Sequence, residues 1–260
     1  MLNRVYSEPR GTIELVLQRD SGQSWATLGW SWGSLTVPFA FAPETVLANS
    51  ELTYWRTLAF PRRKNAYLLG RDAGKQAVGR LVGIEDLPAF EIRSGVFNQP
   101  VVRGTGPDPI GVSISHCDAM ACAVAFPDEH PMGIDVEEIE PRRAAIMERE
   151  LLPSEILQLE AGGLSPAAAR ATGWTAKEAL SKALRCGMTC PFSLLAIAWA
   201  APLSDYIEGE FKNFGQYRFQ SWTRNDLVLT IVLPKRTQLR ENGHDRPLFR
   251  SVRSASCVEI

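Results

Sequence analysis

The pentapeptide Gly133-Ile134-Asp135-Val136-Glu137 alternates apolar and acidic residues, and this period of two predicts a β-strand. Side chains two residues apart in a strand point to the same face, so Asp135 and Glu137 should lie side by side, about 7 Å apart. Two carboxylates at that separation repel each other unless a cation lies between them. A hard divalent ion such as Mg²⁺ prefers oxygen ligands of this kind. Taken alone, the pattern fits a solvent-facing acidic strand edge better than a metal site.

A second group of charged residues occupies Trp174-Thr-Ala-Lys177-Glu178-Ala-Leu-Ser-Lys182, within a helix predicted over 165–186. Glu178 and Lys182 are i and i+4 neighbours on one helix face. They could form an ordinary surface ion pair, which contributes little to stability. Alternatively, Glu178 completes a cation site with the two strand carboxylates, and Lys182 neutralises a phosphate oxygen.

Ser115 and His116 close a strand predicted over 111–116. A hydroxyl and an imidazole at a strand end can both hydrogen-bond a phosphate. A serine nucleophile with a histidine base is disfavoured, because neighbours in a strand point in opposite directions and the chain has no Gly-x-Ser-x-Gly turn. A histidine that simply ends a strand is the remaining alternative.

A helix predicted over 62–82 carries a cluster of basic residues near its start. Lys64, Arg71 and Lys75 fall within about 40° of one another around the helix axis. A basic stripe of this kind is usually solvated. It could also clamp a nucleotide that carries several phosphates, because guanidinium groups match phosphate oxygens. Arg62 and Arg63 precede this stripe.

Composition excludes several classes of protein. The 260 residues include 28 Lys and Arg against 29 Asp and Glu, so the formal charge of −1 creates no global attraction to nucleic acid or to an anionic membrane. The longest apolar run, 194–201, is far shorter than the roughly 20 residues of a membrane span. The N-terminus has no secretory signal pattern. The five cysteines form no Cys-x-x-Cys pair, so we expect neither a disulfide framework nor zinc, and we expect a cytoplasmic protein.

The pattern of elements predicts a mixed α/β protein in two halves, 1–127 and 128–234, followed by a polar, basic tail over 235–260 of a kind that is usually disordered. No internal repeat is visible. Strands are predicted over 111–116, 121–126, 132–138, 193–200, 205–211, 216–222 and 226–233, and further helices over 142–150 and 153–161. Residues 11–60 carry four of the seven tryptophans and predict strands or irregular packing.

The order of these motifs resembles the 4′-phosphopantetheinyl transferases of the Sfp type. The Gly-Ile-Asp-x-Glu strand follows His116 by about 15 residues, and the Trp-x-x-Lys-Glu-x-x-x-Lys helix follows about 40 residues later. The stretch Arg63-x₆-Gly70-Arg71-x₃-Lys75 is similar to the family's upstream basic helix. The likeness covers roughly residues 60–200.

This resemblance implies a pseudo-symmetric, α+β fold of two halves, each an antiparallel sheet packed with a long helix, with coenzyme A bound between them. It implies that the phosphopantetheine arm moves from coenzyme A to a serine of an acyl or peptidyl carrier protein, with release of adenosine 3′,5′-bisphosphate. A monomer suffices, because one chain supplies both halves.

The resemblance also implies roles for individual residues. The Mg²⁺ ligands would be Asp135, Glu137 and Glu178. The catalytic residues would be Glu178 and Lys182, and Asp135 and Lys182 would also contact coenzyme A. Ser115 and His116 would hold its nucleotide end, and Arg63 and Arg71 would clamp the adenylate portion.

One departure from the family concerns Asn98-Gln99-Pro100, where relatives commonly have Gly-Lys-Pro. The missing lysine contact could be supplied by Arg103. Two alternatives to an active transferase stay open: a non-catalytic relative that binds coenzyme A or a carrier protein, and a Mg²⁺-dependent phosphohydrolase that uses the same carboxylates.

Overall fold

Two five-stranded antiparallel sheets, each packed against one long helix, form the framework of the protein. The structure is a computed structural model and describes residues 8–36, 41–203 and 205–241. The strands are β1 (Arg10–Arg19), β2 (Gly22–Trp32), β3 (Glu91–Ser94), β4 (Pro100–Arg103), β5 (Ile110–His116), β6 (Met120–Pro127), β7 (Gly133–Glu138), β8 (Ile197–Pro202), β9 (Ile207–Phe211), β10 (Tyr217–Arg224), β11 (Leu227–Pro234) and β12 (Gln238–Glu241). The α-helices are α1 (Asn49–Thr57), α2 (Pro61–Val82), α3 (Pro141–Met147), α4 (Pro153–Ala161) and α5 (Pro166–Ala183).

The two sheets have related strand orders. The first sheet runs β12-β1-β2-β6-β5 and the second runs β7-β11-β10-β9-β8. In the first half, β2 is followed by α1, α2 and the hairpin β5–β6; in the second, β7 is followed by α4, α5 and the hairpin β10–β11. The orders β2-β6-β5 and β7-β11-β10 therefore correspond. This arrangement confirms the predicted mixed α/β fold of two similar halves, although no repeat is visible in the sequence.

The corresponding strands β2 and β7 each contain a glycine where the long helix crosses. A Cβ atom at Gly29 would collide with the carbonyl oxygen of Ala73 on α2, and one at Gly133 would collide with that of Ala179 on α5. Glycine is therefore required at both positions for the helix to approach the sheet this closely. In the second half, this close approach brings the C-terminal turn of α5 onto the strand that carries Asp135.

The start of α1 is fastened by a buried ion pair. The Glu51 carboxylate accepts hydrogen bonds from the backbone nitrogens of Ala48 and Ile92, both at 2.9 Å. Lys75 of α2 lies 2.5 Å from the same carboxylate, and its side chain is completely buried. One carboxylate thus joins the short helix, the long helix and the strand β3.

The second half repeats this arrangement. The Glu155 carboxylate accepts hydrogen bonds from the backbone nitrogens of Leu152 and Ile197, both at 2.6 Å. Lys177 of α5 lies 2.8 Å from it, and both side chains are completely buried. A carboxylate therefore joins α4, α5 and β8 in the same way.

The two sheets share a hydrophobic core, so the halves are not independent of each other. One buried cluster includes Trp30 and Val124 of the first sheet together with Ile134, Trp222 and Ile231 of the second. Their contact removes large apolar side chains from water on both sides, which stabilises the association of the halves.

Serine hydroxyls join the facing edge strands β5 and β7. Ser113 Oγ accepts a hydrogen bond from the backbone nitrogen of Ile134 at 3.0 Å, and Ser115 Oγ accepts one from that of Val136 at 3.4 Å. Because β5 ends the first sheet and β7 begins the second, these side chains fix the register of one half against the other.

Several predicted boundaries differ from the structure. The strand predicted over 193–200 begins at Ile197, because residues 192–195 form a 3₁₀ turn. Residues 11–60 contain α1 as well as β1 and β2. The prediction of a disordered tail is wrong for β12, because its residues pair with β1. After the boundary predicted at 234, the chain therefore returns to the first sheet. The rest of the tail, 242–260, lies outside the described residues. None of the described helices has the length and hydropathy needed to cross a membrane.

Candidate active site

Asp135 is the buried carboxylate at the junction of the two halves. Its Oδ1 accepts hydrogen bonds from Ser115 Oγ and from Lys182 Nζ, both at 2.6 Å. Its Oδ2 is also buried, yet it has no hydrogen-bond partner among the described residues. One oxygen of this carboxylate is therefore held in place, while the other is left with its full acceptor capacity.

Lys182 lies in the last turn of α5 and points at β7. Besides its ion pair with Asp135, its ammonium donates to the carbonyl oxygen of Ile134 at 3.2 Å. Burial lowers the pKa of Lys182, but the negative charges of Asp135 and Glu178 outweigh this effect, and the net pKa is raised. The side chain is therefore a permanent cation that still exposes 25% of its surface.

Glu178 lies one helical turn before Lys182, and its carboxylate makes no hydrogen bond or ion pair within the described part of the chain. Of the two interpretations that the sequence leaves open, the surface pair between Glu178 and Lys182 is not formed, because Lys182 pairs with Asp135. Desolvation raises the pKa of Glu178; the charge of Lys182 opposes this shift, and that of Asp135 adds to it. The result is a carboxylate that holds a proton more readily than an exposed one.

Glu137, two residues after Asp135 on β7, is held by an arginine. Arg143 of α3 donates from Nη1 to Glu137 Oε2 at 2.8 Å. Burial and the charge of Asp135 raise the pKa of Glu137 to about 7, against the lowering effects of Arg143 and Lys182. Glu137 is therefore a carboxylate that keeps its proton to a higher pH than an exposed glutamate does.

The three predicted metal ligands do not form a closed cluster. Within residues 8–36, 41–203 and 205–241, no three His, Cys, Asp or Glu side chains lie close enough to hold a metal ion. The donor chemistry nevertheless fits a hard cation, because the three predicted ligands are all carboxylates and Asp135 Oδ2 is buried without a partner. Among the three predicted ligands, Asp135 is fixed by Ser115 and Lys182, and Glu137 is fixed by Arg143.

A cavity of about 510 Å³, which we call the basic cavity, opens beside Glu137. Arg63, Arg71 and His116 line it together. The Arg71 guanidinium is held over the Tyr67 ring, 4.4 Å from its centre. Desolvation of the imidazole and the positive charge of Lys182 lower the pKa of His116, although the residue as a whole remains exposed.

Three predicted phosphate contacts, Lys75, Lys64 and Ser115, are engaged elsewhere in the structure. Lys75 is not part of a solvated or phosphate-binding stripe, because it is buried against Glu51. Lys64 stacks over Trp55 at 4.8 Å. The buried Ser115 hydroxyl donates to Asp135 instead of facing the basic cavity. Of the helix α2 cations, Arg63 and Arg71 are the ones that reach the cavity, along with Arg62.

A larger cavity of about 850 Å³ also borders β5. Lys182, Ser113 and Arg103 line it, and Ile114 borders both cavities. The amide oxygen of Gln99 accepts a hydrogen bond from the backbone nitrogen of Phe97 within its own loop, at 2.9 Å. Arg103 is exposed at the wall of this cavity.

Sequence reasoning missed the residues that orient the site. Glu155 carries a signal that could have been found, because a glutamate two residues after Pro153 is typical of a helix N-terminal cap. Arg143 and its contact with Glu137 carry no such signal. Neither does the partnership of Ser115 with Asp135, which depends on two strands from different sheets.

Comparison with known proteins points to one family. The model described as the 4′-phosphopantetheinyl transferase superfamily matches residues 131–232, a segment that includes Asp135, Glu137, Glu178 and Lys182. A crystal structure of holo-ACP-synthase from Plasmodium yoelii matches 32% of this chain and 73% of its own, at 22% identity and a TM-score of 0.29. No curated protein matches the chain significantly. Over residues 131–232 the chain is thus similar to the 4′-phosphopantetheinyl transferase superfamily, which supports phosphopantetheine transfer as its general kind of activity.

Proposed function

We propose that this protein is a 4′-phosphopantetheinyl transferase of the Sfp type, which transfers the phosphopantetheine group from coenzyme A to a serine of an acyl or peptidyl carrier protein in a Mg²⁺-dependent reaction. The observation that carries this proposal is the Asp135 carboxylate, with one oxygen fixed by Lys182 and Ser115 and the other buried without a partner. The presence of two similar halves in one chain supports the Sfp type.

The cation would be held by Asp135, Glu137 and Glu178. When bound, it would neutralise charge on the diphosphate of coenzyme A. Ser115 orients Asp135 for this purpose, because its hydroxyl donates to the carboxylate while accepting from the β7 backbone. Ser115 then acts through Asp135 rather than on the nucleotide directly.

Lys182 supplies a second positive charge at the reacting phosphate. An ammonium group has three donors, and two of those of Lys182 go to Asp135 and Ile134. The third is free to meet a phosphate oxygen in the larger cavity, which Lys182 lines. Attack at phosphorus depends mainly on positioning and on neutralising charge, so a fixed lysine at this place favours transfer.

The basic cavity suits the nucleotide end of coenzyme A. Arg63 and Arg71 present guanidinium groups to it, and His116 offers an imidazole with a lowered pKa. A neutral imidazole can still donate one hydrogen bond to a phosphate oxygen. The released product would be adenosine 3′,5′-bisphosphate, which fits the positive lining by charge.

Glu178 is the candidate base for the carrier serine. Its carboxylate has no partner among the described side chains. Its raised pKa is closer to neutral pH than that of an exposed glutamate, which makes it a better base. It lies on α5 one turn from Lys182, so one helix presents both the candidate base and the ammonium group.

Intact-protein mass spectrometry of an apo carrier protein tests the proposal directly. Incubation with this protein, coenzyme A and Mg²⁺ should add one phosphopantetheine, about 340 Da, and a chelator should abolish the gain. Binding of coenzyme A without transfer to several unrelated carriers would instead favour the non-catalytic relative. Release of phosphate or nucleotide from coenzyme A without a carrier would favour the phosphohydrolase.

A further inference from the structure

Arg143 lines the basic cavity and comes from a different half of the protein than the other arginines of the lining. Arg62, Arg63 and Arg71 come from α2 in the first half, whereas Arg143 comes from α3 in the second. The cavity therefore lies between the halves, and Arg143 is the guanidinium that the second half contributes to its described lining.

The charge of the described lining favours an anion. Four arginines face two carboxylates, Asp118 and Glu137, so the sum is positive even with both carboxylates ionised. Glu51 also lies close to Arg71, outside the cavity lining, but its negative charge is balanced by the buried ammonium group of Lys75. A ligand with more than one phosphate would compensate the excess.

Arg143 has hydrogen-bond capacity to spare. A guanidinium has five N–H donors in a planar fork, and the structure shows one hydrogen bond from this side chain, Nη1 to Glu137 Oε2 at 2.8 Å. Its Nη2 lies 3.7 Å from Asp118 and its Nε 3.7 Å from Glu140, both beyond hydrogen-bond range. Glu137 thus anchors the side chain while the remaining donors stay available.

We propose that Arg143 binds a phosphate group of the nucleotide in the basic cavity and so closes the nucleotide site from the second half. The inference rests on the proposed function, because it takes the occupant to be the nucleotide end of coenzyme A. It adds a binding residue outside the Asp-x-Glu and Trp-x-x-Lys-Glu motifs, and it makes nucleotide binding a contact shared by both halves.

Calorimetric titration of adenosine 3′,5′-bisphosphate in the presence of a chelator tests the inference without the metal or a carrier. Arg143→Ala should weaken binding about 10- to 100-fold, the range expected for a charged hydrogen-bonding contact. The matched control is Arg142→Ala, which removes the same charge from an exposed neighbour outside the cavity lining and should leave affinity within about twofold. Arg143→Lys should give an intermediate loss, because it keeps the charge without the fork.

Glu137→Gln separates direct binding from an indirect structural role. If Arg143 binds phosphate itself, Glu137→Gln should leave metal-free affinity for the bisphosphate equal or higher, since it removes a competing negative charge. If Arg143 acts only through Glu137, the two variants should weaken binding alike, and the inference is then wrong. Melting temperatures of each variant establish that it is folded, and Arg143→Gln serves as the test variant if the alanine variant does not fold.

The outcomes also separate this inference from the proposed function. Wild-type transfer and bisphosphate binding, combined with equal affinities for Arg143→Ala and Arg142→Ala, would overturn the role of Arg143 alone. Absence of both transfer and binding in the wild-type protein would overturn the proposed function, and the inference with it.

Discussion

The ammonium group of Lys177 lies 2.8 Å from Glu155 Oε2, with both side chains completely buried, and Lys75 makes the same contact with Glu51 in the other half. Each glutamate also accepts two backbone hydrogen bonds. The pair therefore fixes the long helix against a short helix and an edge strand. Because Lys177 and Lys182 are five residues apart on α5, this buried contact also sets where Lys182 meets Asp135.

Removal of Lys177 should destabilise the fold strongly. Lys177→Ala leaves Glu155 buried without its cation, and we expect a loss of about 3–5 kcal/mol in the free energy of unfolding. Urea denaturation followed by fluorescence measures this loss. The control Lys212→Ala removes an exposed lysine and should change the free energy by less than about 0.5 kcal/mol. A loss below about 1 kcal/mol for Lys177→Ala would contradict the structural role.

The strongly periodic elements were predictable from the sequence alone. Strand β7 and helix α5 follow from alternation and from helical spacing, so Asp135, Glu178 and Lys182 could be assigned to them in advance. Arg63 and Arg71 could likewise be placed on α2. Periodicity reports which residues share a face of one element, and for these residues that information is enough.

The partners of the charged residues were not predictable. From the sequence alone, Lys75 and Lys177 look like surface residues. Each is buried in an ion pair with a glutamate that lies more than 20 residues away in the chain. The pairing of Lys182 with Asp135, in preference to its helical neighbour Glu178, depends on how closely α5 approaches β7. Strand β12 was missed for a related reason, because its stability comes from pairing with β1 at the far end of the chain.

Lys182→Ala should reduce both turnover and stability. The structure makes Lys182 the counter-ion of the buried Asp135, so its loss leaves a desolvated carboxylate and should cost about 1–3 kcal/mol. Transfer should fall about 100- to 1000-fold, as for the loss of one charge-stabilising donor. A double-mutant cycle with Asp135→Asn measures the coupling of the two residues; a coupling free energy near zero would contradict the ion pair.

Asp135→Asn should abolish the response to Mg²⁺. In the wild-type protein, Mg²⁺ at about 100 times its dissociation constant should stabilise the fold by about 2.7 kcal/mol, seen as a rise in melting temperature that a chelator reverses. The variant replaces a carboxylate oxygen with an amide and should lose both this rise and transfer activity. Asp86→Asn, at an exposed position, should keep both. Retention of the Mg²⁺ response by Asp135→Asn would overturn the metal assignment.

Arg63→Ala should weaken nucleotide binding without affecting the fold. Arg63 is exposed at the basic cavity, so its loss should reduce affinity for coenzyme A about 10-fold and leave the melting temperature unchanged. Lys75→Ala should show the opposite pattern, with a large loss of stability, because that lysine is buried with Glu51. Arg236→Ala, exposed and distant from the cavity lining, is the control for a change of charge alone.

Glu137 should make the folded protein less stable as pH rises, whereas an ordinary ion-paired glutamate makes it more stable. Burial and the charge of Asp135 raise its pKa from the usual 4.5 to about 7 in the folded protein. Between these two values the folded state binds more protons than the unfolded state, so the free energy of unfolding falls as pH rises, by about 3 kcal/mol from this group. Below pH 4.5 both states are protonated, and above pH 7 neither is, so the contribution is constant outside the window.

The variant Glu137→Gln isolates this contribution. Its free energy of unfolding, measured with urea in the presence of a chelator, should increase relative to that of the wild-type protein as pH rises from about 4.5 to about 7, and the difference should then stay level. The amide can still accept the hydrogen bond from Arg143, so the comparison removes the titrating proton while keeping that contact. A difference that does not change across this range would show that Glu137 titrates near its usual pKa in the folded protein.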